Sequence, residues 1–272
     1  MTEVRPPRPR LVATDLDGTL LHSAGTVTAR TRAVLAALDD LGVPVVFTTG
    51  RPIRWMEALW IDVGGHGLAI CSNGGIVYDV AAHAVRTVRP IPRAVGLEVA
   101  AVVRAAVPGT TFAVEHGGGW ASELTYPAHP DDLQQRPQGG LDAIYGDDVV
   151  KLLAVHGTLD PEEFWRQVEE VVGHLVNTTW SSNRALVEMS AIGVTKASAV
   201  ASLAADLGIG ADEVIAFGDM PNDLPLLEWA GTSYAMANAH PTVLALADHV
   251  APLNDEDGVA EVLSRLFALS LG

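Results

Sequence analysis

Acidic side chains directly follow two apolar stretches of this chain. Asp15 and Asp17 come after Leu11–Ala13, and Asp219 comes after Val214–Phe217. Two carboxylates so close together repel each other unless a cation or a shared proton stabilises them. Carboxylate oxygens are also the ligands that Mg²⁺ takes in proteins. The pattern therefore favours a hard-cation site over an acidic surface turn, provided that the two stretches end side by side.

A further apolar run, Val43–Thr48, leads into Thr49, Gly50 and Arg51. A hydroxyl group and turn amides in this position can hold a phosphate oxygen. Lys196 opens a predicted helix and could add positive charge to such a site. Each feature also has an ordinary structural interpretation, because Thr-Gly is a common strand exit and a lysine at a helix start is usually solvated.

Asn222 and Asp223 stand close behind Asp219, at the start of another predicted helix. A helix N-cap and a turn explain these two residues, but they do not explain Asp219. A carboxylate that attacks phosphorus is a known covalent strategy. Phosphoryl transfer also needs positive charge around the equatorial oxygens, which Mg²⁺ and Lys196 would supply. Taken together, the residues favour phosphoryl-transfer chemistry.

Short apolar runs alternate with helical patterns towards both ends of the chain. Leu11–Ala13, Val43–Thr48 and Leu68–Ser72 predict strands, and Thr28–Leu41 predicts a helix that ends at Gly42. Fully apolar strands alternating with helices indicate an α/β fold with a parallel sheet covered on both faces. Ligands of such sheets bind at the carboxyl ends of the strands, where the acidic residues stand.

The pattern changes in the middle of the chain, to an α+β type. We expect residues 86–184 to form an inserted cap domain and residues 1–85 with 185–272 to form the core. A strand at Ala185–Met189 would return the chain to that core. The strands and helices expected within the insertion are Thr111–Glu115, Val149–His156, Arg93–Ala106 and Pro161–Leu175.

Composition limits the possible partners. The formal charge of −16 and the pI near 4.8 argue against nucleic acid or an anionic membrane, because both would be repelled. No apolar stretch approaches the length of a membrane span. The single cysteine, Cys71, lies in an apolar stretch and is expected to be a buried, inert thiol. We expect a cytoplasmic monomer or weak homo-oligomer that acts on a small molecule.

The polar segments resemble, in order, the four motifs of the haloacid dehalogenase-like hydrolase superfamily, and most of all those of its Cof-like phosphatases. Ser72–Gly75 and Glu188–Ser190 are also similar to stretches of that family. The resemblance implies a Rossmann-like core with an inserted cap, and hydrolysis of a small phosphomonoester, such as a sugar phosphate, with Mg²⁺. The four segments are Asp15-Leu16-Asp17-Gly18-Thr19-Leu20, Thr49-Gly50-Arg51, Lys196, and Gly218-Asp219 with Asn222-Asp223.

The resemblance also implies roles for individual residues. Asp15 would be the nucleophile, which becomes an aspartyl-phosphate, and a Mg²⁺ ligand. Asp17 would be the general acid and base, with its backbone carbonyl also on the metal. Asp219 would be the third ligand from the protein. Lys196 would hold a phosphoryl oxygen and stabilise the Asp15 carboxylate, and Asp223 would orient water or Lys196.

The resemblance places four further residues, with Thr49, around the substrate. Thr49 would hold a phosphoryl oxygen, and the other four would contribute to substrate binding; they are Gly50, Arg51, Asn73 and Asn222. Within the cap, four residues could contact the substrate or serve the structure alone: His116, Trp120, Glu123 and Tyr126.

Two other functions remain compatible with these residues. A phosphosugar mutase would use the same phosphoenzyme and return its phosphoryl group to a sugar. A catalytically silent binding protein would keep only the fold, although every proposed catalytic residue is present. The sequence leaves the substrate open among sugar phosphates, nucleotides, flavin phosphates and pyridoxal phosphate.

Overall fold

The computed structural model describes residues 8–56, 59–60, 67–127, 136–180 and 184–269. The strands in these ranges are β1 (Leu11–Asp15), β2 (Val45–Thr48), β3 (Leu68–Cys71), β4 (Ile76–Asp79), β5 (Ala84–Val88), β6 (Thr111–His116), β7 (Gly119–Ser122), β8 (Val149–Val155), β9 (Val176–Thr179), β10 (Leu186–Ala191), β11 (Val214–Gly218), β12 (Thr232–Met236) and β13 (His249–Ala251). The helices are α1 (Ala29–Asp40), α2 (Arg93–Ala106), α3 (Leu141–Ile144), α4 (Pro161–Val172), α5 (Lys196–Asp206), α6 (Leu224–Trp229), α7 (Pro241–Leu246) and α8 (Gly258–Phe267).

Within the described ranges, the first sheet has eight strands in the order β13-β12-β11-β1-β2-β3-β4-β5. Its strands are parallel from β13 to β3, and β4 and β5 add an antiparallel edge. Side chains of β1 alternate between the two faces of this sheet. Val12 packs into one apolar cluster, whereas Leu11 and Ala13 pack into another on the opposite face. A central strand buried on both faces explains why it reads as a continuous apolar run.

Helices cover both faces of the first sheet. One apolar cluster combines α1 and α8, through residues such as Leu38 and Leu263. The other combines α5 and α6, through residues such as Val200 and Leu226. The helix α1 begins after Thr28, whose side chain accepts a hydrogen bond from the backbone N–H of Thr31. This layering confirms the predicted α/β class, with a parallel sheet between two layers of helices.

The second sheet is antiparallel, and its described strands run in the order β7-β6-β8-β10-β9. The helices α2 and α4 pack on one of its faces around Val99, Phe112 and Phe164. The opposite face carries charged residues, which the next section describes. The sheet is built from residues between β5 and α5, so its chain segment is inserted into the first unit.

The predicted return to the core at residue 185 is wrong for one strand. β10 pairs with β8 and β9 in the second sheet, not with any strand of the first. Val187 and Met189 fill the apolar cluster of the second unit, and Glu188 between them faces the other way. Apolar and polar residues therefore alternate along β10, as in an antiparallel strand that is buried on one face. We place the end of the proposed cap domain after Ala191.

The structure bears on two predictions, one for Cys71 and one for membrane-spanning helices. Cys71 is buried at the end of β3, as predicted, and burial raises the pKa of its thiol to about 12. Across the described part of the chain, no helix combines the length and the apolar character needed to cross a bilayer.

Candidate active site

Three neighbouring parallel strands end at the same edge of the first sheet. In β1, Asp15 is paired in register with Thr48 of β2. On the other side of β1, Thr14 is level with Phe217 of β11. The residues that follow these strands, Thr49 and Asp219, therefore lie beside Asp15. Strand order brings together groups that are about 200 residues apart in the chain, as in the hydrogen bond between Thr19 and Asp219.

Lys196 joins two of the predicted carboxylates. Its Nζ donates to Asp15 Oδ1 at 2.6 Å and to Asp223 Oδ1 at 2.7 Å, and only 1% of its side chain is exposed. Burial disfavours the ammonium form, but the charges of Asp15 and Asp223 outweigh burial, so the pKa of Lys196 lies above its usual value. The interpretation of Lys196 as a solvated charge at a helix start is therefore wrong.

Asp223 is held from two sides. Its Oδ1 accepts from Lys196, and its Oδ2 accepts from the backbone N–H groups of Asp219 at 3.0 Å and Met220 at 3.2 Å. Since these bonds occupy both oxygens, Asp223 is set to orient Lys196 and the Asp219 turn. Gly218 permits this turn, because a Cβ at that position would lie 2.5 Å from the Cβ of Asp223.

A cluster of acidic oxygens fits a hard cation. Asp15, Asp219 and Asp223 are all buried, and one oxygen of each lies within 4.8 Å of the others. Burial, with the neighbouring carboxylates, raises the pKa of Asp15 and raises that of Asp219 to about 7. A raised pKa means that the ionised carboxylate is disfavoured at this place. A divalent cation would stabilise the ionised form. The all-oxygen donor set suits Mg²⁺.

The turn after β1 brings the first and last motifs into contact. Gly18 has a φ of +72°, in the left-handed region, and a Cβ there would lie 2.3 Å from Asp219 Oδ2. Thr19 donates to Asp219 Oδ1 at 2.9 Å. Only glycine can combine this backbone conformation with such a close approach. The glycine between Asp17 and Thr19 is therefore required by Asp219.

Asp17 lies apart from the acidic cluster. Its side chain is 53% exposed at the cavity and accepts two hydrogen bonds from Arg51, of which the one from Nε is 2.8 Å long. The backbone N–H of Arg51 donates to Thr49 Oγ1 at 3.0 Å, so the Thr49–Arg51 turn and Asp17 are linked. Among the described residues, the acidic cluster that could hold a metal does not include the Asp17 carboxylate.

Two amides lie on the other side of the cavity. Asn222 Nδ2 donates to Asn73 Oδ1 at 3.2 Å, and Asn73 Nδ2 donates to Glu188 Oε2 at 2.9 Å. Ser72 and Asn73 both have φ near +50°, a conformation that asparagine tolerates better than most residues. This turn directs Asn73 towards Asn222, which lines the cavity. Both predicted residues therefore lie beside the acidic cluster.

The cavity lies between the two sheets and has a volume of about 600 Å³. Asp15, Asp17 and Arg51 lie at its base on the first sheet. Among the predicted contact residues of the second sheet, Trp120 and Tyr126 line the cavity. The other two predicted contact residues do not: Glu123 binds Arg104 and the N–H of Phe112, and His116 pairs with Asp148.

Sequence reasoning missed three charged residues of the second sheet. Lys151 of β8, 1% exposed, donates to the carbonyl of Gly50 at 2.6 Å and to Glu188 Oε1 at 2.7 Å, and it lies 3.7 Å from Glu115 Oε2. Glu115 and Glu188 line the cavity. Each of the three residues is a charged side chain within an otherwise apolar strand, and this pattern is visible in the sequence. A charge buried in this way needs a partner, so the pattern could have indicated an ion-pair network.

The amino-acid sequence is similar to those of known hydrolases. The sequence model of the haloacid dehalogenase-like hydrolase family matches residues 12–263, so the chain belongs to that family. It is 31% identical to a phosphoglycolate phosphatase of Halorubrum lacusprofundi, over 94% of this chain and 96% of the relative. It is 27% identical to the 5-amino-6-(5-phospho-D-ribitylamino)uracil phosphatase of Bacillus subtilis, over 96% and 99% of the two chains.

A solved structure supports the same assignment. A haloacid dehalogenase-like hydrolase from Bacteroides thetaiotaomicron superposes with a TM-score of 0.77 and 26% identity, covering 96% of this chain and all of the other. The predicted resemblance to Cof-like phosphatases of this superfamily is confirmed. The chain is accordingly an enzyme of the phosphoric monoester hydrolase class.

Proposed function

We propose that this enzyme hydrolyses a small phosphomonoester through an aspartyl-phosphate on Asp15, with Mg²⁺. The observation that carries the proposal is the bridge from Lys196 to both Asp15 and Asp223, beside Asp219 at the base of the cavity. Lysine fixed to one oxygen of a carboxylate leaves the other oxygen free to attack, and it can stabilise charge on the phosphoryl group as well.

In the first step, Asp15 Oδ2 attacks phosphorus and the bond to the leaving oxygen breaks. Lys196 holds Oδ1, which favours the ionised form of the carboxyl group and aligns it. Asp17 gives a proton to the leaving alkoxide. In the resting structure Arg51 holds Asp17 with two hydrogen bonds, so Asp17 must move away from Arg51 and take up a proton before it can act as an acid.

In the second step, water attacks the aspartyl-phosphate and Asp17, now a carboxylate, accepts the proton from that water. The bond between phosphorus and Asp15 breaks, and phosphate leaves. The Thr49 hydroxyl would hold a phosphoryl oxygen, with Asn222 close by. The position of Thr49 at the end of β2, next to Asp15, supports this role. The backbone N–H groups of Thr49 and Arg51 already donate to the Ile70 carbonyl and to Thr49 Oγ1, respectively.

We assign Asp15, Asp219 and the backbone carbonyl of Asp17 as the Mg²⁺ ligands, because hydrogen bonds already occupy both oxygens of Asp223. The cation would supply positive charge to the phosphoryl oxygens. Charge counting supports a cation here. Among the described residues, two cations, Lys196 and Arg51, hydrogen-bond to members of a group of four aspartates (Asp15, Asp17, Asp219 and Asp223), so the acidic groups outnumber the cations by two.

We further propose that the second sheet acts as a hinged cap over the cavity and contributes the contacts that select the substrate. The relatives are named as phosphatases of small phosphorylated metabolites, and a cavity of about 600 Å³ suits a substrate of that size. Closure of such a cap would exclude water during phosphoryl transfer.

The first test measures phosphate release from p-nitrophenyl phosphate. We expect release with Mg²⁺ alone, loss of activity in excess EDTA, and restoration when Mg²⁺ is added back. The proposed hydrolase should need no bisphosphate activator, whereas a mutase would need one. Full activity in EDTA would contradict the metal assignment, and turnover only with a bisphosphate would favour the mutase.

The second test traps the intermediate with ³²P-labelled acetyl phosphate. An Asp17→Asn variant should form the phosphoenzyme but hydrolyse it slowly, because general base help of this kind is typically worth about 10²–10⁴-fold. Rapid quench and peptide mapping should place a hydroxylamine-labile label on Asp15. The Asp15→Asn variant is the control and should carry none. A label on a serine or histidine would overturn the mechanism.

A further inference from the structure

Glu115 of β6 has an unusual environment for a buried acid. It is 4% exposed and lines the cavity from the second sheet. Arg54 Nη2 lies 3.5 Å from Oε1, and Lys151 Nζ lies 3.7 Å from Oε2, both at ion-pair distance. Within the described part of the chain, Oε2 accepts no hydrogen bond.

The other acids on this sheet show the contrast. Glu188 accepts from Lys151 on Oε1 and from Asn73 on Oε2, and Glu123 accepts from Arg104 and from the N–H of Phe112. A buried carboxylate oxygen without a hydrogen-bond donor is costly, because it gives up its hydrogen bonds to water, and an ion pair at 3.7 Å does not replace them. Such groups are rare in native proteins, and they mark a strained or catalytic site or one where a further molecule completes the bond.

The surroundings of Glu115 restrict what that molecule can be. Trp120 and Tyr126 form an aromatic wall of the cavity, and Leu153 adds an aliphatic surface. Asp15 and Asp17 of the first unit line the same cavity. A substrate with its phosphoryl group at Asp15 would therefore direct its organic part towards the second sheet, where Glu115 lies.

We propose that Glu115 is a specificity-determining residue which accepts a hydrogen bond from an O–H or N–H group on the organic part of the substrate. The inference rests on the proposed phosphatase function. The substrate class is then a phosphomonoester with a hydroxyl or amino donor on a body that packs against aromatic and aliphatic side chains. Donor-free esters of the same size would leave Oε2 unsatisfied and bind less well.

The test compares kcat/KM for matched pairs of substrates. Glucose 6-phosphate against cyclohexylmethyl phosphate probes hydroxyl donors, and 4-aminobenzyl phosphate against 4-methylbenzyl phosphate probes amino donors. The variants are Glu115→Leu, which removes the acceptor, and Glu115→Gln, which keeps one carbonyl oxygen. Glu123→Gln serves as the matched control, because Glu123 is a carboxylate directly after β7 in the same unit and does not line the cavity.

For Glu115→Leu we expect kcat/KM to fall by about 10- to 100-fold on at least one donor substrate, the loss typical of a hydrogen bond to a charged group. Its donor-free partner should stay within about twofold of wild type, and Glu115→Gln should lose less. Glu123→Gln should leave the donor preference unchanged. The pair that responds identifies the donor as hydroxyl or amino.

Two results would overturn the inference. An equal fall of kcat/KM on donor and donor-free substrates would show that Glu115 only supports the structure. Unchanged kcat/KM on all four substrates would show that Oε2 faces water in the complex. Absence of phosphate release from every substrate by the wild-type enzyme would instead overturn the proposed function, and this inference with it.

Discussion

At the scale of single residues, the Lys196 ammonium decides how the acidic cluster works. It is the cation that the described structure places in direct contact with Asp15 and Asp223. Its compact charge reaches two carboxylates at 2.6 and 2.7 Å, a geometry that a planar guanidinium does not reproduce. The buried ammonium is stabilised here because both carboxyl groups accept hydrogen bonds from it.

We expect Lys196→Ala to lower kcat/KM by about 10²–10³-fold, the loss typical of a removed oxyanion donor. Lys196→Arg should restore little, because the larger group cannot bind both carboxylates in the same space. The measurement is steady-state kinetics on p-nitrophenyl phosphate with saturating Mg²⁺. Turnover of Lys196→Ala close to wild type would show that Lys196 does not act on the phosphoryl group.

At the scale of secondary structure elements, charged side chains on one face of the second sheet bind loops of the first unit. Lys151 on β8 reaches the carbonyl of Gly50, and Glu188 on β10 reaches Asn73. Both contacts touch turns that carry predicted substrate-binding residues. The strands that we propose as a cap therefore also hold the turns that carry Gly50 and Asn73 in position.

Lys151→Met should lower the free energy of unfolding by about 3–5 kcal/mol, because it removes a buried cation that lies beside Glu188 and Glu115. Urea denaturation followed by circular dichroism measures the change. A Lys151→Met/Glu188→Leu double variant should recover part of the loss, since it removes the carboxylate bound most closely by Lys151, and Glu115 keeps Arg54. Arg166→Met, which breaks an exposed ion pair with Glu163, is the control and should leave the midpoint nearly unchanged. A Lys151→Met midpoint equal to wild type would contradict the role of this pair.

At the scale of the whole molecule, lysine and arginine are used in different places. The chain has two lysines, Lys151 and Lys196, and 15 arginines. Both lysines are 1% exposed and lie around the cavity, whereas arginines such as Arg10, Arg86 and Arg166 lie at the surface. The side-chain cations at the described surface are therefore guanidinium groups, which do not react with amine reagents.

We expect trinitrobenzenesulfonate at pH 8 to leave Lys151 and Lys196 unmodified in the native protein. Both lysines are buried, and the raised pKa of Lys196 keeps that amine protonated at this pH and thus unreactive. Peptide mapping by mass spectrometry should find a label on each lysine only after labelling in denaturant. Rapid modification of Lys196 in the native protein would show that the cavity opens more widely than the structure indicates.

The sequence by itself determined the class of fold and the edge of the sheet where the acidic residues lie. Asp15 and Asp219 were expected to lie together because carboxylates that follow apolar strands meet where parallel strands end, whereas Asp223 was identified through the family resemblance. Apolar strands alternating with helices predicted the two-layered cover of the first sheet. These features are local in the chain, so residue type and spacing are enough to read them.

Only the tertiary structure decided which charges meet between the two units. β10 looked like a core strand, because its apolar residues alone do not reveal its partner strands. His116 was chosen from β6, yet its neighbour Glu115 faces the cavity, since a shift of one residue reverses the face of a strand. The contacts of Lys151 with Gly50 and of Arg51 with Asp17 join residues 101 and 34 positions apart. Such pairs depend on strand order and packing between sheets, which no local pattern encodes.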